Sequence, residues 1–143
     1  MQQMSHAPVL TLRSRAPVRL DLAGGWTDVA PFSTEVGGAV VSAAINRYTY
    51  TTLKLHAGDT VRLVSADFDL SLVLPGGSAL AYDGKLDLLK AAVNRLGPHS
   101  GIELYVRADA PPGSGTGSSG ATGVAILGVL NALRQQPLSL HQL

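Results

Sequence analysis

The chain has 143 residues, a formal net charge of +1, 45% hydrophobic residues and 5% aromatic residues, which suits one domain with a core and argues against disorder. The low charge and low aromatic content argue against a nucleic-acid partner, and the absence of cysteine excludes a disulfide scaffold, thiol catalysis and a Cys-type zinc site. There is neither a signal-peptide pattern nor an apolar run long enough to span a membrane, so we expect a cytoplasmic protein with no membrane partner.

The first third of the chain alternates between apolar and polar residues and predicts strands. Val9–Arg15 and Val18–Leu22 form either two short strands or one strand with a bulge at Pro17. Ala39–Ile45 is small and β-branched, which predicts a buried strand. Arg47–Leu55 is rich in Tyr and Thr and predicts another strand.

Two further strands are predicted before the first helix. Gly58-Asp59 is typical of a hairpin turn leading into Val61–Ala66, and Leu70–Leu74 follows. Asp67 and Asp69 stand between these last two strands. Their spacing is compatible with a metal-binding pair, but an exposed hairpin turn is the favoured interpretation.

The second half of the chain predicts a helix, a strand and a second helix. Asp87–Leu96 has apolar residues at helical spacing, and Ile102–Ala108 alternates as a strand does. Residues 119–134 are apolar nearly all round, which predicts a centrally buried helix. Leu138–Leu143 resembles the start of another helix. The order of the elements indicates an α+β fold rather than a regular βαβ repeat.

A glycine-rich stretch, 110–123, joins this strand to this apolar helix. Glycine permits positive φ and close approach of a ligand to the backbone. The start of a helix offers unpaired N–H groups and a partial positive charge. Together they predict an anion site, most often for phosphate.

Several known phosphate loops, and a flexible Gly/Ser linker, compete as interpretations. The Walker A loop requires Gly-Lys-Ser/Thr, and no lysine follows Lys90. The dinucleotide pattern G-x-G-x-x-G is matched by Gly115–Gly120. Against it, Pro111-Pro112 separates the strand from the loop, and no acidic residue follows about 20 positions later. A nicotinamide-dependent oxidoreductase therefore remains a remote alternative.

Pro112–Ala121 (PGSGTGSSGA) resembles the nucleotide loop of the GHMP kinases, whose pattern is Pro-x-x-x-Gly-Leu-Gly-Ser-Ser-Ala. It departs from that pattern at Thr116 and Gly120. The resemblance implies ATP and Mg²⁺ as cofactors, with the loop backbone around the phosphates and both Ser118 and Ser119 as metal ligands. The nucleotide contacts that it implies are Pro112, Gly113, Ser114, Gly115, Thr116, Gly117, Ser118 and Ser119.

Ala16–Asp28 (APVRLDLAGGWTD) resembles the N-terminal substrate segment of the same family. Galactokinases carry Ala-Pro-Gly-Arg-Val-Asn-Leu-Ile-Gly-Glu-His-Thr-Asp there, and Gly25 and Trp26 replace their Glu and His. The likeness is greater to the heptose 7-phosphate kinases, with Ala-Gly-Gly-x-Thr-Asp-Val where this chain has Ala23–Val29. Fucokinases carry a related Gly-Gly-Trp-Ser/Thr-Asp.

Site roles follow from this second resemblance. Arg19 would be the catalytic residue, near the acceptor hydroxyl and the transferring phosphate, where a guanidinium can stabilise charge. The substrate contacts that the resemblance implies are Gly25, Trp26, Thr27 and Asp28. A carboxylate can accept two sugar hydroxyls. Considered singly, the residues also fit a solvated strand arginine, a tryptophan packed in the core and an Asx-turn aspartate.

The two resemblances together imply ATP-dependent phosphorylation of a sugar hydroxyl, with a small sugar or sugar phosphate as partner. The anomeric hydroxyl of a heptose 7-phosphate is the favoured acceptor. Fucose, galactose and a non-catalytic nucleotide-binding role are the alternatives. GHMP kinases are longer than this chain, and many place a general base, a metal carboxylate and a second domain downstream. We therefore expect residues 1–143 to be an incomplete N-terminal ATP-binding domain, with little activity by itself and an oligomeric state that the sequence leaves open.

Overall fold

The structure is a computed structural model that describes residues 10–139 and 141–143, so Val9 of the first predicted strand lies outside the described residues. Five strands and three helices follow one another along the described chain. Their bounds are β1 Thr11–Ala23, α1 Phe32–Glu35, β2 Val41–Leu55, β3 Thr60–Ser65, β4 Leu70–Pro75, α2 Asp87–Leu96, β5 Ile102–Ala108 and α3 Ser118–Asn131.

The strands form one mixed sheet in the order β1-β2-β5-β3-β4. Only β3 and β5 run parallel, and the other neighbouring pairs are antiparallel. This confirms the predicted α+β class. It also differs from the doubly wound parallel sheet that a dinucleotide-binding oxidoreductase would have.

The hairpin predicted at Gly58-Asp59 between β2 and β3 is wrong, because β5 lies between these two strands. The apolar face of β5 is fully buried, which favours a central position where both edges of the strand are paired. The turn instead passes the start of β5. There Gly101 donates its N–H to Thr60 O and accepts the N–H of His56 at its own carbonyl.

The first two predicted strands are one strand, β1, with a register shift between Pro17 and Arg19. Proline has no N–H for the ladder, and a bulge accommodates it. The next two predicted strands also merge, into β2. The prediction that Ala39–Ile45 is buried is wrong: most of this half of β2 is exposed, and it pairs only with the end of β1.

The core lies between one face of the sheet and helices α2 and α3. Leu53, Leu104 and Leu63 stand side by side on three neighbouring strands and are fully buried. Residues adjacent to these leucines point to the other face of the sheet, where Lys54 of β2 and Glu103 of β5 form an ion pair at 3.1 Å. The predicted sheet with helices on one face is therefore confirmed.

Helix α3 crosses the sheet beneath β1 and β2 and also packs on α2. Ser14 of β1 donates its hydroxyl to Ala125 O of α3 at 2.6 Å. The prediction of burial all round is wrong on one side, since Val124 is 64% exposed. The predicted helix at 138–143 is replaced in the described residues by a turn in which Ser139 O accepts the N–H of Gln142. Within the described chain, none of the helices has the length and hydrophobicity to cross a bilayer.

Candidate active site

A cleft of about 830 Å³ opens at one end of the sheet. Four segments supply most of its wall, and they come from distant parts of the chain. They are the end of β1 with the turn after it (19–29), the β3–β4 turn (65–70), the loop leading into α2 (84–89) and the glycine-rich loop (110–119). The sheet order brings them together, because each lies at the end of a strand or the start of a helix.

The glycine-rich loop alternates left-handed glycines with hydroxyl residues. Gly113, Gly115 and Gly117 have φ of +78°, +72° and +69°. A residue with a Cβ adopts this conformation at a cost, so the alternation in sequence matches the alternation in backbone. The hydroxyls between them form a chain, from Ser114 to Thr116 at 2.8 Å and from Thr116 to Ser118 at 3.2 Å.

Helix α3 begins directly from this loop without a side-chain cap. Gly117 is the N-cap residue, and its carbonyl accepts the N–H of Ala121. Among the described residues, no side chain caps the backbone amides in the first turn of α3. Such amides and the helix dipole favour an anion at this end. Ser118 and Ser119 line the cleft here, and a hydroxyl oxygen is a suitable ligand for Mg²⁺.

The end of β1 is attached to the glycine-rich loop. The backbone N–H of Arg19 donates to Thr116 O at 3.0 Å. A Cβ placed on Gly117 would lie 2.7 Å from Nη1 of Arg19, so the guanidinium rests against this glycine. Asp21 holds the same guanidinium, with Nε donating to Oδ1 at 3.0 Å. A half-exposed cationic group therefore touches the glycine-rich loop.

The turn after β1 projects Trp26 and Asp28 into the cleft. Trp26 has φ of +72° and is 82% exposed, which is unusual for tryptophan and differs from packing in the core. Thr27, between them, fixes the turn: its hydroxyl donates to Gly24 O at 2.7 Å and accepts the N–H of Ala39 at 3.1 Å. The side chains on either side are thereby held at the surface of the cleft.

The structure gathers most of the predicted site residues in one cleft. Those that line it are Arg19, Trp26, Asp28, Pro112, Gly113, Ser114, Gly115, Gly117, Ser118 and Ser119. Gly25, Thr27 and Thr116 do not line it. The last two support the wall instead, through the hydrogen bonds given above. The site roles predicted for all thirteen residues stay predictions.

Two parts of the wall were not predicted from the sequence. The first is Phe68, which is 66% exposed in the β3–β4 turn. This turn is the hairpin expected around Asp67 and Asp69. Asp67 accepts the N–H of Ala108 at 3.0 Å, and no group of three His, Asp or Glu that could hold a metal occurs among the described residues. The second part is the loop 83–87, which carries no motif in the sequence.

The chain is therefore an α+β domain in which a glycine-rich loop and an uncapped helix start line one cleft. The family model for the GHMP kinases N terminal domain matches residues 86–143. A D-glycero-alpha-D-manno-heptose 7-phosphate kinase of Campylobacter jejuni is 30% identical over 139 residues, which is 93% of this chain and 41% of that protein. A Bacteroides fragilis L-fucokinase/L-fucose-1-P guanylyltransferase is 28% identical over 150 residues, covering 82% of this chain and 15% of the enzyme.

A solved structure agrees with these relatives. The crystal structure of a D-glycero-D-manno-heptose 1-phosphate kinase from Bacteroides thetaiotaomicron matches with a TM-score of 0.82 and 35% identity, over 91% of this chain and 44% of that one. The chain is similar to the GHMP kinases along nearly its whole length, and its residues 86–143 match their N-terminal domain. It spans less than half the length of the relatives it matches.

Proposed function

We propose that the full-length gene product transfers the γ-phosphoryl group of ATP to the anomeric hydroxyl of a heptose 7-phosphate. The observation that carries the proposal is the contact between Arg19 and Gly117. It joins the segment that resembles a sugar-binding motif to the loop that resembles a nucleotide-binding motif. Phosphoryl transfer requires this arrangement, because acceptor and phosphate have to meet in line.

The glycine-rich loop has the chemistry to hold the phosphates of the nucleotide. Its amide groups and the start of α3 can donate hydrogen bonds to phosphate oxygens without a lysine. The residues of this loop that would hold Mg²⁺ are Ser118 and Ser119, through their hydroxyl oxygens. When bound, that ion would neutralise charge on the phosphates. The lining of hydroxyl and amide groups fits such a complex.

Arg19 and Asp28 would act on the acceptor side of the same cleft. The guanidinium of Arg19, held by Asp21 and resting on the loop, can stabilise the charge that develops on the transferred phosphoryl group. The exposed carboxylate of Asp28 can accept hydrogen bonds from two sugar hydroxyls and so orient the acceptor. The exposed ring of Trp26 offers an apolar surface for one sugar face.

Other sugars remain as alternative acceptors. The relatives carry the names of a heptose 7-phosphate kinase, a heptose 1-phosphate kinase and a fucokinase. The resemblance of Ala23–Val29 to the heptose 7-phosphate kinases favours a heptose phosphate as the acceptor. Fucose is the second choice, because the Gly-Gly-Trp in this segment also resembles the fucokinases. We further propose that residues 1–143 form the N-terminal ATP-binding part of a cytoplasmic kinase, and that this part has little activity by itself.

The test is an ATP-consumption assay on the full-length gene product with heptose 7-phosphate, heptose 1-phosphate, fucose and galactose. ADP should form fastest with heptose 7-phosphate and require Mg²⁺. The variant Asp28→Ala should raise the KM for the sugar or abolish turnover while leaving ATP binding intact. Unchanged sugar kinetics in that variant would remove Asp28 from the acceptor site.

A further inference from the structure

Lys90 is a charged residue in the core, and no part of the proposed reaction uses it. It lies in the first turn of α2, its side chain is 1% exposed, and it is among the largest fully buried side chains of the described chain. Its ammonium group donates to Oδ1 of Asp83 and lies 3.4 Å from Oδ1 of Asp87. An ammonium buried at this depth is strongly unfavourable unless it is paired.

The two carboxylates that pair with Lys90 also organise the loop 83–87. Asp87 accepts the N–H of Gly84 at 2.8 Å and that of Asp83 at 3.2 Å. Asp83 accepts the N–H of Lys85 at 3.0 Å. Within this loop Leu86 has a left-handed backbone, with φ of +52°. One buried ammonium therefore holds both ends of a tightly turned loop.

The charge state of this cluster is stable at neutral pH. The hydrogen bond from Lys90 holds the pKa of Asp83 below its ordinary value. Burial raises the pKa of Asp87, but backbone hydrogen bonds and Lys90 outweigh it and lower that pKa. Hydrogen bonding to Asp83 raises the pKa of Lys90 against the opposing effect of burial. All three groups are ionised together.

The loop forms one side of the cleft, and the opposite side is the end of β1 with the turn after it, residues 19–29, here named the acceptor segment. The loop 83–87 connects β4, at one edge of the sheet, to α2, whereas the acceptor segment follows β1 at the other edge. The glycine-rich loop follows β5, so it lies between the loop 83–87 and the acceptor segment. Leu86 of the loop, together with Phe68 and Leu70 of the hairpin, contributes apolar groups to the lining of the cleft. A flat apolar ring attached to the phosphates is the ligand portion that fits there.

We propose that Lys90 is a positioning residue that sets the affinity for the nucleotide by holding the loop 83–87 against the nucleoside part of the cleft. This inference rests on the proposed function. It predicts that loss of the buried ammonium releases Asp83 and Asp87, loosens the loop and weakens nucleotide binding. The sugar side of the cleft, at the opposite edge of the sheet, is unaffected.

The test is steady-state kinetics of the full-length gene product carrying Lys90→Met, which keeps the length of the side chain and removes its charge. The KM for ATP should rise about tenfold, and the KM for the sugar should stay within twofold of the parent. Lys54→Met is the matched control, because Lys54 pairs with Glu103 on the uncovered face of the sheet. It should leave both KM values unchanged.

A second variant keeps the test decisive if Lys90→Met does not fold. Asp83→Ala removes a half-exposed carboxylate and should raise the KM for ATP severalfold in a folded protein. In the double variant the KM should be no higher than in Lys90→Met, because both act through one loop. A fall in kcat with both KM values unchanged, in either single variant, would overturn the inference. If the parent itself consumes no ATP, the proposed function fails instead.

Discussion

Substitution of Gly117 by alanine tests the contact between Arg19, at the end of β1, and the glycine-rich loop. Gly117 has φ of +69°, and a Cβ there would lie 2.7 Å from Nη1 of Arg19. Gly115 is the matched control, since its φ is +72° and a Cβ there would meet nothing within 4 Å. Both variants strain the same loop, but only Gly117→Ala displaces Arg19.

The size of each effect follows from this difference. A left-handed alanine costs roughly 1–2 kcal/mol, so both variants should lose about that much unfolding free energy. In Gly117→Ala the guanidinium also has to move by about 0.7 Å to restore an ordinary 3.4 Å contact. Misplacement of a catalytic group by about 1 Å can reduce the rate about 10²-fold. We therefore expect kcat to fall about 10²-fold in Gly117→Ala and much less in Gly115→Ala.

The assay combines denaturant unfolding with ADP-release kinetics on both variants of the full-length gene product. Equal losses of stability with unequal losses of kcat would support a role for Arg19 at the transferring phosphate. If the two variants lose kcat equally, the effect comes from loop strain alone, and the contact between Arg19 and Gly117 has no catalytic consequence.

Three further predictions concern the rest of the cleft. Thr27→Val removes the hydroxyl that bonds to Gly24 and Ala39, and it should lower the unfolding free energy by about 1 kcal/mol in chemical denaturation. An unchanged unfolding free energy would show that these hydrogen bonds do not stabilise the turn. Because the hydrogen bond from Lys90 lowers the pKa of Asp83, its stabilisation is present above pH 3.8 and is lost as pH falls through the lowered pKa. In Asp83→Ala the unfolding free energy should therefore depend less on pH in the acid range. An unchanged dependence of the unfolding free energy on pH would contradict the pairing of Asp83 with Lys90. Gly120 has an ordinary φ and open space around it, so Gly120→Ala should add about 0.5–1 kcal/mol of unfolding free energy and raise Tm, with no change in KM. A lower Tm would refute it.

Local patterns in the sequence predicted most elements of the fold. Helical spacing gave Asp87–Leu96, and strict alternation gave Ile102–Ala108, both with the bounds observed. Pro17 left two alternatives, two short strands or one strand with a bulge, and the structure shows the second. The α+β class followed from the order of these elements, and the one-sided sheet followed from the family resemblance.

Pairing between distant strands could not be predicted in the same way. A turn such as Gly58-Asp59 is compatible with a hairpin, and its sequence contains nothing about the later strand β5 that separates β2 from β3. Exposure of the first half of β2 was missed for a similar reason, because the burial of a strand depends on which distant elements pack against it.

The site, too, was predicted where motifs occur and was missed where it depends on contacts between distant segments. The motifs predicted both halves of the cleft, but the contact between Arg19 and Gly117 depends on how β1 meets the loop before α3. The wall formed by Phe68 and the loop 83–87 carries no motif. From the sequence alone, a lysine in a helix such as Lys90 is expected to be exposed. Its burial becomes visible only in the packing of α2.

The central claim is that one cleft brings a sugar hydroxyl to the phosphates of ATP. Phosphorus NMR of the full-length gene product, incubated with ATP, Mg²⁺ and heptose 7-phosphate, tests it most directly. We predict an anomeric phosphate signal that grows in proportion to ADP. ATP hydrolysis without a phosphorylated sugar, or no ADP with any sugar of the panel, would contradict the claim.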